Sequence, residues 1–194
     1  LMPSDTITQH PFYFVRHGQT ECNRKRVFTG REDIPINAKG VKQAQAAGRL
    51  LRGRPIASIC CSPMKRARQT MEAICRQLDT DPPIFFENDL REVCMGALEG
   101  YPVWEQGAMA HWLEGRITVT DAETAQDFHA RVARGVNAAL RRPDPVLIVA
   151  HSAVYRAARQ LTGLAPSKRL ENGQVAFFQP PTNAGASWTV ELVT

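Results

Sequence analysis

Four short segments of this sequence carry residues that together can move a phosphoryl group: Arg16 with His17, then Arg66, then Glu92, and last His151. Two arginines can hold a phosphoryl group in bidentate fashion and neutralise its oxygens. A neutral histidine can attack phosphorus when a hydrogen bond fixes its other ring nitrogen. A second histidine, protonated beside the anion, can stabilise the equatorial oxygens, while a carboxylic acid protonates the leaving oxygen and then deprotonates water. The set predicts covalent phosphoryl transfer without a metal ion.

Two of these assignments have competitors close by. Arg66 and Arg68 are two residues apart on a predicted helix, so they point about 200° apart and only one can face a shared pocket. Arg66 is preferred because it lies closer to the preceding strand. The carboxylates that compete with Glu92 are Glu21, Asp89 and Glu99.

Each of the four segments follows a short apolar run that predicts a β-strand. These runs are 12–16, 56–61, 84–86 and 146–150, and two final strands are predicted at 175–178 and 188–193. Gly18 is expected to let the backbone turn sharply after the first strand.

Helices are predicted between the strands. Asn37 and Ser62 are the predicted N-caps of the first two, with Pro63 at the first position of the second. The run 120–123 matches a capping box before the third, a fourth is predicted at about 153–161, and 101–116 is compatible with a helix. The apolar stripes are Val41, Ala44, Gly48 and Leu51, then Met64, Ala67, Met71, Ile74 and Leu78, then Phe128, Val132, Val136 and Leu140.

The alternation of strands and helices predicts an α/β fold of three layers, with a mostly parallel central sheet. Right-handed crossovers place successive strand ends at one edge of the sheet, where open α/β folds bind ligands. The arginines, histidines and Glu92 are therefore expected in one crevice. A length of 194 residues suits one domain, 1–194, in which about 100–121 forms a short cap near the active site.

Composition narrows the class of protein. A net charge of +5 and an isoelectric point of about 9.2 fit an anionic ligand, although the basic residues are dispersed. No aromatic and basic platform indicates nucleic-acid binding, and no apolar run is long enough to span a membrane. Five cysteines without a C-x-x-C pair disfavour a zinc site or a disulfide framework. Reduced cysteines and the absence of a secretion signal in 1–6 favour the cytoplasm.

These motifs resemble the histidine phosphatase superfamily (branch 1), which has the phosphoglycerate mutase-like fold. The resemblance covers nearly the whole chain. It rests on the signature 16–23, on Phe28-Thr29-Gly30 with Asp33, Pro35, Gly40 and Gln43-Ala44, on Ser62-Pro63 with Arg66-Ala67 and Gln69-Thr70, on Leu90, Glu92, Gly96 and Glu99-Gly100, and on Val149-Ala150-His151.

The resemblance implies a role for each matching residue. His17 would be the phosphorylated nucleophile and Glu92 the proton donor, while Arg16, Arg66 and His151 would form the phosphate pocket. Further contacts to phosphate or substrate would come from Gln19, Asn23, Thr29, Gly30 and Ser152. Asn23 could instead be a turn residue that bonds its own backbone. No metal or cofactor is implied, and the expected partner is a small phosphorylated substrate.

Two positions depart from the family pattern. Ser152 stands where the family usually has Gly after the second histidine, although its backbone N–H could still reach phosphate. Leu98 stands where many phosphatases have an aromatic residue before Glu-Gly, which affects substrate contacts more than chemistry.

The segment 100–121 favours a phosphatase over a mutase. Phosphoglycerate mutases resemble this chain in the motifs, but they typically carry a longer insertion with an adjacent Arg pair, and this segment is short and has none. Trp104 and Trp112 either wall the pocket or form a buried helix face. Phosphoglycerate mutase-type transfer and a catalytically silent phospho-ligand-binding relative stay as alternatives, and the oligomeric state is left open.

Overall fold

A central sheet of six strands organises the computed structural model, which describes residues 6–102, 106–166 and 168–194. The strands are β1 (Phe12–Arg16), β2 (Ser58–Cys61), β3 (Ile84–Phe86), β4 (Val146–Ala150), β5 (Val175–Gln179) and β6 (Thr189–Leu192), in the order β3-β2-β4-β1-β5-β6. Strands β1 to β4 pair in parallel, whereas β5 runs antiparallel to β1 and β6 to β5. The predicted mostly parallel sheet is confirmed.

Helices cover both faces of this sheet, as the three-layer prediction requires. They are α1 (Glu21–Lys25), α2 (Ala38–Leu51), α3 (Lys65–Cys75), α4 (Gln106–Leu113), α5 (Ala125–Leu140) and α6 (Ser152–Leu161). Side chains alternate along β1, so Phe12 and Phe14 pack with α5 and α6, whereas Tyr13 and Val15 pack with α2 and α3. No helix among the described residues is long and apolar enough to cross a membrane.

The strand register brings three strand ends together. Arg16 lies opposite Ala150, and Cys61 lies opposite Val149. Beyond the last pairs, the N–H of His17 donates to the carbonyl of Ala150 at 3.0 Å, and the N–H of Ser62 to that of Val149 at 2.9 Å. The first residues after β1, β2 and β4 are thereby fixed side by side.

Two predicted helix starts are wrong. Helix α3 begins at Lys65 rather than after Ser62, and its N-cap, Met64, makes no side-chain capping bond; the Ser62 hydroxyl accepts from the N–H of Met64 at 3.4 Å and bonds His151. Helix α5 begins after Thr124, whose hydroxyl accepts from the N–H of Asp127 at 3.1 Å. The predicted motif 120–123 thus precedes the helix. The cap is formed by Thr124 and Asp127, which have the same spacing four positions later.

The predicted cap and stripe of α2 are largely right. Asn37 accepts a hydrogen bond from the N–H of Gly40 at 2.9 Å, as expected. Ala44, Gly48 and Leu51 of the predicted stripe are buried, whereas Val41 is 39% exposed. In the first turn the buried residue is Gly40, because this turn lies directly against the backbone that follows β1.

That contact explains Gly18 better than a sharp turn does. A Cβ atom at Gly18 would lie 2.3 Å from the carbonyl oxygen of Gly40, and a Cβ at Gly40 would lie 2.3 Å from the carbonyl oxygen of Gln19. The N–H of Gly18 also donates to Thr70 Oγ1 of α3 at 2.9 Å. Two glycines are therefore needed because two backbone segments touch beside His17.

Candidate active site

His17 has the geometry and electrostatics of a nitrogen nucleophile. Its side chain is buried, and its Nδ1 lies 2.8 Å from the carbonyl oxygen of Gly18. A proton on Nδ1 donates to that carbonyl, which leaves the lone pair on Nε2. Burial, together with the charges of Arg66 and Arg16, lowers the pKa of His17 well below its ordinary value. His17 is therefore neutral at neutral pH, as attack on phosphorus requires.

His151 lies beside His17, with the two ring centroids 5.2 Å apart. It is fully buried, and its Nε2 is 2.8 Å from the hydroxyl oxygen of Ser62. Burial, followed by the charges of Arg66 and of the neighbouring groups, lowers the pKa of His151 well below its ordinary value. The protonated form expected from the sequence is thus not the resting form, because it needs the negative charge of a bound phosphoryl group.

Arg16 and Arg66 are both buried, and each uses only part of its donors on the protein. Arg16 Nη1 donates to the carbonyl of Leu170 at 2.8 Å. Arg66 Nη1 and Nη2 donate to the carbonyls of Glu32 and Gly30, at 2.8 and 2.9 Å. Neither Nε has a hydrogen-bond partner among the described residues. Burial and the charge of Arg169 lower the pKa of Arg16 to about 10, so it keeps its charge at neutral pH.

The choice between neighbouring candidates agrees with the placement of their side chains. Arg66 is 1% exposed, whereas Arg68 is exposed on the outer face of α3. The competing carboxylates have other partners: Glu21 pairs with Arg24, Asp89 with Arg134, and Glu99 accepts from the N–H groups of Arg31 and Met95. Within the described residues, Glu92 is the carboxylate on the cavity wall.

Glu92 is oriented by backbone donors. Its Oε1 accepts from the N–H of Val93 at 3.0 Å, and its Oε2 accepts from the N–H of Ala153, near the start of α6, at 3.4 Å. Arg16 and Arg66 line the same cavity. The carboxyl group therefore stands beside the two cations, where a leaving oxygen would need a proton.

Arg16, Arg66 and Glu92 line a cavity of about 410 Å³, whereas His17 and His151 are not among its lining residues. Among the remaining predicted binding residues, Asn23, Thr29, Gly30 and Ser152 line it. Asn23 is also a turn residue, since its Oδ1 accepts from the N–H of Thr20 at 3.2 Å and from Asn172 Nδ2 at 3.0 Å. His17 and His151 expose almost no surface, 3% and 0%.

Gln19 does not line the described cavity, and its predicted contact with phosphate or substrate stays a prediction. Its Oε1 accepts from Asn37 Nδ2 at 3.2 Å, and its N–H donates to Gln43 Oε1 at 2.9 Å. Gln19 therefore ties the turn after β1 to the start of α2, which is a structural task.

Among the described residues of the segment 100–121, one side chain lines the cavity, that of Met109. Trp112 is 1% exposed and packs against Phe128 with ring centroids 5.7 Å apart, so it belongs to the core rather than to the pocket wall. Trp104 lies outside the described residues. Met109 of α4 does line the cavity, whereas Leu98 packs against the core.

Arg131 is a buried residue that the sequence analysis missed. Its Nη1 donates to the carbonyls of Asp89 and Arg91, both at 2.8 Å, and its Nη2 to that of Glu92 at 3.4 Å. The same guanidinium pairs with Glu123 at 2.7 and 2.8 Å. A buried arginine inside the apolar stripe of α5 was the available signal. It holds the backbone of the 89–92 segment and so positions Glu92.

Replacing Arg131 with methionine is expected to lower the free energy of unfolding by about 3 kcal/mol, because Glu123, whose side chain is only 14% exposed, loses its main partner and keeps only the longer pair with Arg31 at 3.6 Å. Burial alone would raise the pKa of Glu123, but the hydrogen bonds and charge of Arg131 hold it below its ordinary value. Urea unfolding measures the loss. Arg134→Met, on the exposed face of the same helix, is the matched control and should cost much less.

The same variant shows whether Arg131 also orients Glu92 for catalysis or only stabilises the fold. If Arg131 orients Glu92, kcat/KM for alkyl phosphates should fall about 10-fold more than for p-nitrophenyl phosphate, whose leaving group needs no proton. Equal losses for both substrates at a temperature where the variant is folded would leave Arg131 with a purely structural role.

Within the described residues, no group of three or more His, Cys, Asp or Glu side chains is arranged to hold a metal ion. The five cysteines, Cys22, Cys60, Cys61, Cys75 and Cys94, are all free thiols. Burial raises the pKa of Cys60 to about 12, so this thiol is unreactive at neutral pH.

Comparison with curated proteins and solved structures gives relatives of more than one kind. Agropine synthesis reductase of Rhizobium rhizogenes is 32% identical over 93% of this chain, which spans only 41% of that protein. The probable phosphoglycerate mutase GpmB of Salmonella arizonae is 33% identical over 70% of this chain and 67% of its own length. A mycobacterial glucosyl-3-phosphoglycerate phosphatase in complex with VO3 superposes with a TM-score of 0.74 at 24% identity, covering 95% and 97% of the two chains.

The solved structure, at 24% identity, shows a shared fold. The two curated relatives carry the names of different activities, so they do not assign one activity to this chain. The family model for the histidine phosphatase superfamily (branch 1) matches residues 12–179, from the start of β1 to the end of β5. This range contains all four segments that meet at the cavity. The chain belongs to the histidine phosphatase superfamily, branch 1.

Proposed function

We propose that this protein is a phosphatase that hydrolyses small phosphomonoesters through a phosphohistidine at His17, without a metal ion. The observation that carries the proposal is the environment of His17: burial and the charges of Arg66 and Arg16 keep it neutral, its Nδ1 is held by Gly18, and the Nε donors of both arginines have no partner among the described residues. Such a site is complementary to a phosphoryl dianion beside an uncharged nucleophile.

In the first step, Nε2 of His17 forms a bond to phosphorus while the bond from phosphorus to the ester oxygen breaks. Arg16 and Arg66 donate to the phosphoryl oxygens and balance their charge. Protonated Glu92 gives its proton to the leaving oxygen, so the alcohol departs neutral. The neighbouring anion favours a proton on His151, which then donates toward the phosphoryl oxygens.

In the second step, Glu92, now a carboxylate, takes a proton from water as the water oxygen attacks phosphorus. The bond between phosphorus and Nε2 breaks, inorganic phosphate leaves, and His17 and protonated Glu92 are restored. Both steps use the same groups, so the balance of protons closes over one turnover.

Phosphoglycerate mutase-type transfer is the second candidate, and the 33% identity to GpmB favours it. A mutase shares the first step but must retain the acceptor and exclude water. Among the described residues of 100–121, Met109 lines the cavity and no arginine does. The segment 100–121 thus lacks the adjacent Arg pair that is typical of the mutases, which supports hydrolysis over transfer.

The test is the fate of the phosphoryl group with EDTA present. A panel of phosphomonoesters is incubated with the protein, and inorganic phosphate and free alcohol are quantified together. A phosphatase releases both in equal amounts. Isomerised ester without inorganic phosphate would indicate a mutase. No turnover and no phosphoenzyme with any ester would indicate a silent phospho-ligand-binding relative.

A further inference from the structure

The two ring nitrogens of His151 have different surroundings. The side chain is fully buried, and its Nε2 lies 2.8 Å from the hydroxyl oxygen of Ser62. Its Nδ1 is also buried but has no hydrogen-bond partner among the described residues. A buried polar atom without a partner costs free energy. Because the ring lies beside that of His17, with the centroids 5.2 Å apart, Nδ1 is the nitrogen left for a phosphoryl group at this site.

The sheet, rather than a helix, places the Ser62 hydroxyl. Ser62 is the first residue after β2, and its N–H donates to the carbonyl of Val149 in β4 at 2.9 Å. His151 follows β4 directly, so the pairing of β2 with β4 sets the hydroxyl beside the imidazole ring. Ser62 is fully buried, so bulk water does not compete for this hydrogen bond.

The proton of that hydroxyl decides where the proton of neutral His151 lies. A serine hydroxyl donates one hydrogen bond and accepts through two lone pairs. The Ser62 oxygen accepts from the N–H of Met64 at 3.4 Å, and in the described part of the chain Nε2 of His151 is the acceptor within reach of its proton. When Ser62 donates to Nε2, the ring proton must be on Nδ1. The opposite tautomer would leave the hydroxyl proton without that acceptor and would turn a lone pair toward the phosphoryl oxygens.

The same hydroxyl also suits the protonated ring. Burial and the neighbouring cations, Arg66 first, lower the pKa of His151 well below its ordinary value, so a second ring proton needs compensating partners. A proton taken up from solvent as the anion binds gives the ring an N–H at both nitrogens. The Nδ1–H then donates to a phosphoryl oxygen, and the hydroxyl rotates so that its oxygen accepts from the Nε2–H. An alanine in place of Ser62 could fill neither role.

We infer that Ser62 is a positioning residue for His151: its hydroxyl donates to Nε2 of the neutral ring, which places the ring proton on Nδ1 toward the phosphoryl group, and it accepts from Nε2 once the ring is protonated. The inference rests on the proposed function, since it assumes that the phosphoryl group to be transferred lies at His17. It adds to that function the residue that sets the tautomer of the second histidine.

Replacing Ser62 with alanine should lower kcat/KM for p-nitrophenyl phosphate by about 10- to 100-fold, somewhat less than the loss seen when an oxyanion-binding donor is itself removed. Ser58→Ala is the matched control. Ser58 is an equally buried serine at the other end of β2, where its hydroxyl donates to the carbonyl of Pro143. That variant should lose stability in urea but keep its kcat/KM. No fall in Ser62→Ala, or an equal fall in both variants, would overturn the inference.

The loss should also depend on His151. The rate of phosphoenzyme formation with ³²P-labelled ester is measured in the wild-type protein, in Ser62→Ala, in His151→Ala and in the double variant. Because Ser62 acts through the ring, its removal should cost less than about 2-fold once His151 is alanine. An undiminished loss in that background would assign the effect to another route, such as the bond to Met64 before α3, and would reject the positioning role.

The ring proton itself is measured by NMR of the ligand-free protein labelled with ¹⁵N-histidine. The wild-type protein should show His151 protonated on Nδ1 and bare at Nε2, with the resonances assigned by their loss in His151→Ala, whereas Ser62→Ala should populate the Nε2–H tautomer as well. A proton on Nε2 in the wild-type protein would overturn the inference whatever its activity. The proposed function fails separately, if the wild-type protein forms no phosphoenzyme with any ester.

Discussion

Replacing His17 with alanine is expected to lower kcat for every phosphomonoester by about 10⁴- to 10⁶-fold, the range seen when a covalent nucleophile is removed. The reason is that Arg16 and Arg66 would still bind the phosphoryl group, but no neutral nitrogen would stand behind phosphorus. Substrate affinity should change far less than turnover. Steady-state hydrolysis of p-nitrophenyl phosphate in EDTA measures the loss.

A phosphoenzyme assay makes this prediction specific to His17. Wild-type protein mixed with ³²P-labelled ester and quenched in base should retain label on a histidine, and His17→Ala should retain none. His10→Ala is the matched control. His10 is an exposed histidine that lies before the start of β1, near Asp144 and at the opposite end of the strand from His17. His151→Ala should label slowly but still at His17. Label that persists in His17→Ala would assign the nucleophile elsewhere.

The strands of this fold could be predicted from the sequence almost residue by residue. The limits of β1, β3 and β4 agree with the predicted 12–16, 84–86 and 146–150. Continuous apolar runs leave little choice, because a strand covered on both faces must be apolar throughout. The meeting of the four segments followed from the same topology, since parallel strands end at one edge.

The partners of polar side chains could not be predicted in the same way. The Ser62 hydroxyl was expected to act locally as a helix cap; it accepts from the N–H of Met64 at 3.4 Å, but it also bonds His151, which is 89 positions away in the sequence. Gln19 sits inside the family signature, yet its side chain bonds Asn37. The hydrogen-bond partners of a hydroxyl or an amide group depend on which distant groups the packed chain brings within reach. Tertiary structure therefore decided these roles.

The charge state of the site also needed the structure. Sequence reasoning expected a proton on His151 only beside the bound anion; the structure adds that both histidines are buried among cations, which lowers the pKa of each. The site is thus built to receive negative charge. A phosphoryl dianion satisfies the arginine donors and makes a proton on His151 favourable in the same event, which couples binding to activation.

Replacing Glu92 with glutamine is expected to lower kcat/KM for alkyl phosphates by about 10²- to 10⁴-fold, the usual contribution of a general acid. An alkoxide leaves poorly without a proton, and the amide of the variant cannot supply one. The N–H of Val93, which bonds Oε1 at 3.0 Å, can still donate to the amide oxygen, whereas the longer bond from the N–H of Ala153 to Oε2 at 3.4 Å is lost, so the side chain keeps the shorter of its two anchoring bonds. Measured kcat/KM reports this step alone, because it ends at release of the alcohol.

The same variant should barely change kcat/KM for p-nitrophenyl phosphate, because nitrophenolate departs without a proton. Its kcat should nevertheless fall, since water attack on the phosphorylated His17 needs Glu92 as the base, and a burst of nitrophenolate should precede slow turnover. Glu72→Gln, exposed on α3, removes the same charge away from the cavity and should change neither substrate. Equal losses in kcat/KM for both esters would show that Glu92 acts on the bound phosphoryl group rather than on the leaving oxygen.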